Sequence, residues 1–168
     1  GSYNLFNCIF MKNITGSAIG IFFLSFIIRI FYLNYLGFNY DMTGDEPGYY
    51  NFGKILLGLA PDGYYLFRAP LAGLILTPFF KIFGTTIITG RIVNVFISSI
   101  SVAFFYYIIR FKLKLNYYLS LIIALIFILY LPSVFYSSRI LSENLSSLLL
   151  IIIFNILLNL KDKVDYKN

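Results

Sequence analysis

Two carboxylates stand side by side in Gly44-Asp45-Glu46-Pro47-Gly48-Tyr49-Tyr50, just after the first long apolar run of a chain with only 7 Asp and Glu among 168 residues. Acids this scarce, placed at a membrane boundary, are expected to face water and act there. Pro47 suits the first turn of a helix, where unsatisfied amides and the positive end of the dipole favour ionised carboxylates directly before it. An ionised acid beside a polar substrate can take a proton from a hydroxyl or amine, and its neighbour can hold a metal or a sugar hydroxyl. The dipeptide reads equally as an N-cap, Asp45, followed by a solvated Glu46.

Arginines supply the complementary chemistry. Arg68-Ala69-Pro70-Leu71 sets a guanidinium at the start of an apolar segment, the outline of a phosphate site at headgroup level. An arginine snorkelling to the interface fits the same residues. Arg29 lies well inside the first apolar run, where a charge is costly unless it meets a cavity, a ligand or an outer-loop acid. Ser137-Ser138-Arg139-Ile140-Leu141-Ser142-Glu143 adds another arginine and acid, with Ser142 suited to cap the last helix. Arg68, Arg29, Arg139 and Tyr49 are therefore candidate contacts to substrate or lipid phosphate, and Glu143 and Asp41 candidate contacts to a metal or an acceptor. The chain has no histidine, so a metal would rely on carboxylates and water, the ligands of a hard divalent cation. No P-loop, GxSxG or CxxC is present.

The elements that position these groups follow from composition. Hydrophobic residues make up 60% of the chain and the mean hydropathy is +0.83, well above the roughly 45–50% apolar usage of soluble domains. A bilayer core takes about 20 apolar residues per helix, and four runs qualify: 17–36, 88–109, 117–136 and 145–160. Segment 69–84 is short and contains Pro78, so it is expected to lie in the outer interface. It is preceded by an amphipathic helix near 47–58 with Tyr49, Phe52, Leu56 and Leu59 on one face. Pro61-Asp62-Gly63 marks the turn between them. The expected fold is thus an all-α integral membrane protein with four transmembrane helices and two interfacial helices in the first outer loop. It forms one domain, with 1–16 as an N-terminal tail, 17–160 as the membrane module and 161–168 as a cytoplasmic tail. The single cysteine, Cys8, cannot form an internal disulfide.

Charge orients the spans, since Lys and Arg are retained in cytoplasmic loops. With the N-terminus inside, Lys12, Arg110, Lys112, Lys114, Lys161, Lys163 and Lys167 share the cytoplasmic side with only Asp162 and Asp165. Residues 37–87 and 137–143 then face outward from the cell membrane. The net charge of +6 is read as this asymmetry, not as nucleic-acid binding.

Taken in order, GDEPGYYNFGKILLG, LFRAPLAGLILTPFFKIFG, GRIVNVFISSISVAFFYYIIR and LPSVFYSSRILSENLSSLLL resemble the N-terminal part of the GT-C glycosyltransferases. The likeness is to the branch containing lipid A aminoarabinose transferases and protein O-mannosyltransferases, over about residues 17–160. The resemblance implies transfer of a sugar from a polyprenyl-phosphate-linked donor to an acceptor protein or glycolipid at the outer face of the membrane. It implies that Asp45 is the catalytic base with Glu46 beside it, that Arg68 contacts donor phosphate, and that Glu143 is the acid opening the fourth span. Relatives of the aminoarabinose type carry Glu-Lys-Pro-Pro where this chain has Phe67-Arg68-Ala69-Pro70. Family enzymes are also several times longer, so the chain is expected to be a fragment or a reduced relative. A non-catalytic membrane subunit or lipid-phosphate-binding module, and a small transporter, are the alternatives in other classes.

Overall fold

The computed structural model describes the backbone of residues 2–60 and 69–165 and the side chains of residues 16–60 and 69–161. Among these the chain is all helical: α1 (Ser2–Leu36), α2 (Glu46–Ile55), α3 (Pro70–Phe83), α4 (Ile87–Tyr107), α5 (Tyr117–Leu129), α6 (Leu131–Ser137) and α7 (Glu143–Asp165). A π turn, Ile108–Lys112, prolongs α4. Helix is what such apolar segments must form in lipid, because hydrocarbon offers the backbone no partner. Three stretches are long and apolar enough to cross a bilayer: Gly16–Leu36, Ile87–Lys112 and Glu143–Lys161. A fourth crossing exists only if α5 and α6 are taken together, and they are bent by 54°.

That bend divides the expected span over 117–136 into two helices. The chain leaves the helical region at Tyr130, with φ −60° and ψ 104°. Pro132 has no N–H to donate to Ile128, and its ring disfavours helical backbone in the residue before it. The helix restarts with the proline in its first turn. Other boundaries also move. Residues 2–16, expected as a tail, continue α1, and α7 runs to Asp165. Helix α2 stops at Ile55, so Leu56 and Leu59 fall beyond it and are exposed, whereas Tyr49 and Phe52 are buried. The expected turn at Pro61-Asp62-Gly63 lies outside the described residues.

Helix α4 is the centre of the bundle, packed against α1, α3, α5, α6 and α7. Apolar side chains cluster at two levels along it. Tyr49, Leu76, Phe80, Val93, Ile97, Ile140 and Leu145 form one core, and Ile21, Val102, Tyr106, Ala124 and Ile128 the other. Reversals of the chain are capped by side chains that satisfy first-turn amides. Thr86 Oγ1 accepts from Thr89 N–H at 3.1 Å, and Asn116 Oδ1 from Leu119 N–H at 2.7 Å. The α1–α2 and α6–α7 connections meet at one end of the bundle, where Tyr40 Oη donates to Ser138 O at 2.9 Å. At the other end Lys112 donates to Asn159, and Arg110 to Leu115 O at 3.1 Å.

Candidate functional site

The acid pair sits where the α1–α2 and α6–α7 connections touch, and its two members face opposite ways. Gly44, at φ +61°, turns the chain through the left-handed region that glycine adopts without a Cβ penalty. Glu46 N–H then donates to Thr43 O at 3.3 Å, and Thr43 N–H donates to Glu46 Oε2 at 3.1 Å. The glutamate side chain thereby turns back onto the connection that precedes α2. Glu46 is consequently 0% exposed, which overturns the expectation that both acids face water. Its Oε1 accepts from Arg91 Nη2 at 3.3 Å, from Arg91 Nε at 3.4 Å and from Ile140 N–H at 3.1 Å.

Arg91 is equally buried. Its Nη1 donates to Phe38 O at 3.1 Å and Tyr40 O at 2.8 Å, and its guanidinium lies 3.4 Å from the centre of the Tyr40 ring. A buried ion pair is sustained only when its remaining hydrogen-bonding capacity is met, as it is here. One carboxylate and one guanidinium thereby join the α1–α2 connection, α2, α4 and the α6–α7 connection. Tyr50 secures the other side of α2, donating from its hydroxyl to Thr85 O at 2.8 Å. Burial raises the pKa of that phenol above its ordinary value and keeps it a donor.

Asp45 precedes α2, is exposed and makes no side-chain capping bond. Across the same junction, Arg139 Nη1 donates to Thr43 Oγ1 at 2.6 Å, and its guanidinium lies 4.3 Å from the Phe135 ring centre. Tyr49 is buried, with its hydroxyl 2.9 Å from Ser142 Oγ. Ser142 O accepts from Ser146 N–H at 2.8 Å at the start of α7, where Glu143 is exposed. Asp41 is also exposed. The structure thus brings Thr43, Asp45, Arg139, Ser142 and Glu143 to one polar rim, with Glu46, Arg91 and Tyr49 beneath it.

Arg29 belongs to neither layer. It is 0% exposed and donates to Ser25 Oγ at 2.6 Å, Ser98 Oγ at 2.9 Å and Ser133 Oγ at 3.0 Å. Of the cavity, ligand or outer-loop acid that such a charge calls for, the structure shows none in contact among the described residues: hydroxyls from α1, α4 and α6 close over the guanidinium within the bundle. Arg68 lies outside the described residues.

Arg91, the buried partner of Glu46, is the residue of this candidate site that charge and composition do not single out. One signal points to it: an arginine inside an apolar run calls for a partner. Among the described residues no three Asp, Glu or Cys side chains gather into a group that could hold a cation. Glu46 is engaged by Arg91, Thr43 and Ile140. Comparison with known protein families, characterised proteins and solved structures finds no match to this chain.

Proposed function

We propose that the chain is a GT-C-like glycosyltransferase module that moves a sugar from a polyprenyl-phosphate-linked donor to an acceptor protein or glycolipid at the outer face of the cell membrane. The observation that carries this reading is the division of labour within the acid pair. Glu46 is committed to a buried ion pair that holds the α1–α2 and α6–α7 connections to α4, and Asp45, one residue away, is presented at the rim beside the Thr43–Arg139 contact. Asp45 acts as general base on the acceptor hydroxyl or amine. Arg139 contacts the donor phosphate, where a guanidinium offers charge and a fork of donors, and the resemblance assigns Arg68 the same role. Glu143 and Asp41 orient the acceptor, and Glu46 holds the base in place instead of sharing its chemistry. Arg29, enclosed by serine hydroxyls, has no direct part, which also weighs against a transport pathway lined by Arg29, Asp41 and Glu143.

Transfer from a polyprenyl-phosphate-linked sugar in proteoliposomes tests the proposal. Asp45→Asn preserves shape and hydrogen bonding but cannot accept the proton, and is expected to lower turnover by about 10²–10⁴-fold. Near-parental turnover by that variant would move the base elsewhere. Absence of transfer by the parent, with polyprenyl phosphate still retained and lost in Arg68→Ala, would favour the lipid-phosphate-binding module.

A further inference from the structure

At the end of the bundle opposite the acid pair, an open groove of about 630 Å³ runs between α1 and α4, lined by Ala18, Phe22, Phe23, Ile100, Phe104 and Tyr107 among others. Its walls are almost wholly apolar, as expected of a surface turned to lipid. One feature distinguishes it from an ordinary lipid-facing furrow. An aromatic stripe leads out of it to a cation: Phe104 stacks on Tyr107 at 6.0 Å, Tyr107 meets Phe111 at 5.5 Å, and the Arg110 guanidinium lies 5.3 Å from the Phe111 ring centre. Phe104, Tyr107 and Phe111 follow one another at i, i+3 and i+7, the spacing of one helical face, and the last lies in the π turn Ile108–Lys112. Arg110 Nη1 donates to Leu115 O at 3.1 Å, which holds the guanidinium at the mouth of the groove.

Basic side chains gather around that mouth. Lys114 is exposed on the turn after Arg110, and Lys112 reaches Asn159 of α7, two residues before the exposed Lys161. Among the described side chains, those at this end include no carboxylate. From Ile100 to Tyr107 the helix rises roughly 10 Å, within the depth of one leaflet, about 15 Å of hydrocarbon. A slot of leaflet depth, apolar along its length and cationic at its end, matches a phospholipid with a negatively charged headgroup.

We propose that the α1–α4 groove seats an anionic phospholipid of the leaflet at this end, one acyl chain between the helices and the phosphate on Arg110, with Lys114 adding charge. The site is independent of the sugar-transfer reading, since it lies at the opposite end of the bundle from Asp45. A guanidinium fixed beside an aromatic ring presents directed donors to a phosphate, and juxtamembrane basic residues attract anionic headgroups.

Native mass spectrometry of the full chain, released from detergent with equal phosphatidylglycerol and phosphatidylcholine of the same acyl composition, tests it. The parent is expected to retain phosphatidylglycerol over phosphatidylcholine. Arg110→Gln should lower phosphatidylglycerol retention about fivefold, Lys114→Gln less, and neither should alter phosphatidylcholine. Ala103→Phe, which fills the groove, should lower both lipids, and Lys81→Gln, at the far end, should change neither. Where circular dichroism shows Arg110→Gln misfolded, Arg110→Lys is expected to keep the preference and Lys114→Gln to weaken it. Equal retention of both lipids by the parent overturns the proposal, as does an equal loss with Lys81→Gln. So does Ala103→Phe that leaves both lipids bound but abolishes a dimer, which would give the groove to a second copy of the chain.

Discussion

Glu46, Arg91 and Arg29 are all fully buried, yet the consequences of removing them differ because their partners differ. Taking away Arg91 leaves Glu46 as an unpaired buried carboxylate, and breaking such a pair from one side costs about 3–5 kcal/mol. Taking away Arg29 leaves Ser25, Ser98 and Ser133, which are neutral and can turn to nearby carbonyls. Thermal unfolding in detergent should therefore show Arg91→Met far less stable than Arg29→Met. The double variant Glu46→Gln/Arg91→Met should recover much of the loss, since the uncompensated charge is gone. A drop for Arg29→Met as large as that for Arg91→Met would mean that the serine cluster holds a charge-dependent structure. Thermal unfolding of Asp45→Asn, measured beside its turnover, separates the proposed catalytic role from a structural one: lost turnover with an unfolding temperature near the parent's supports the base, and a matching loss of both makes the residue structural.

Among elements, α2, α3 and α4 owe their close approach to glycines. A Cβ added at Gly73 would stand 2.0 Å from Phe52 Cδ1 and 2.9 Å from Phe52 Cγ, near the root of the ring. At Gly90 the nearest atom is the terminal Ile140 Cδ1, at 2.6 Å, which has more freedom to move. Gly73→Ala is thus expected to cost about 1–3 kcal/mol, the usual penalty of overpacking, and Gly90→Ala less. Nothing lies within 4 Å of the corresponding position at Gly20, so Gly20→Ala should be neutral or stabilising through its helix propensity. Equal effects at Gly73 and Gly20, measured by thermal unfolding, would remove the packing argument. The α5–α6 break belongs to the same scale. Pro132 ends one helix and starts the next, and the bend delivers Ser133 to Arg29 and Ile140 to Glu46.

For the whole molecule, the two ends of the bundle differ in chemistry. Asp41, Asp45, Glu46 and Glu143 lie at the end formed by the α1–α2 and α6–α7 connections, and Arg110, Lys112, Lys114 and Lys161 at the other. Basic residues held on the cytoplasmic side would put the acidic rim outside. In a Cys8→Ser background, Asp41→Cys should react with an impermeant thiol reagent applied to intact cells, and Lys114→Cys should react only after permeabilisation. Labelling of both from outside would invalidate the shared orientation of the rim.

Hydropathy is a local sum, so the membrane class, the apolar runs and the connections that carry the polar residues were legible in the sequence. The pairing of 37–46 with 138–143 followed from the alternation of spans. The orientation of Glu46 was only half legible: its bond from Thr43 N–H is local, but the partners that bury the carboxylate are 45 and 94 residues away. The same holds for Arg29, whose hydroxyl partners Ser98 and Ser133 are 69 and 104 residues distant. Such contacts depend on how α1, α4 and α6 are rotated against one another, which is set by packing across the bundle. The residue types alone therefore determined a membrane protein with an acid pair at a boundary. Only the tertiary structure decided which acid was enclosed as a strut and which was left at the surface.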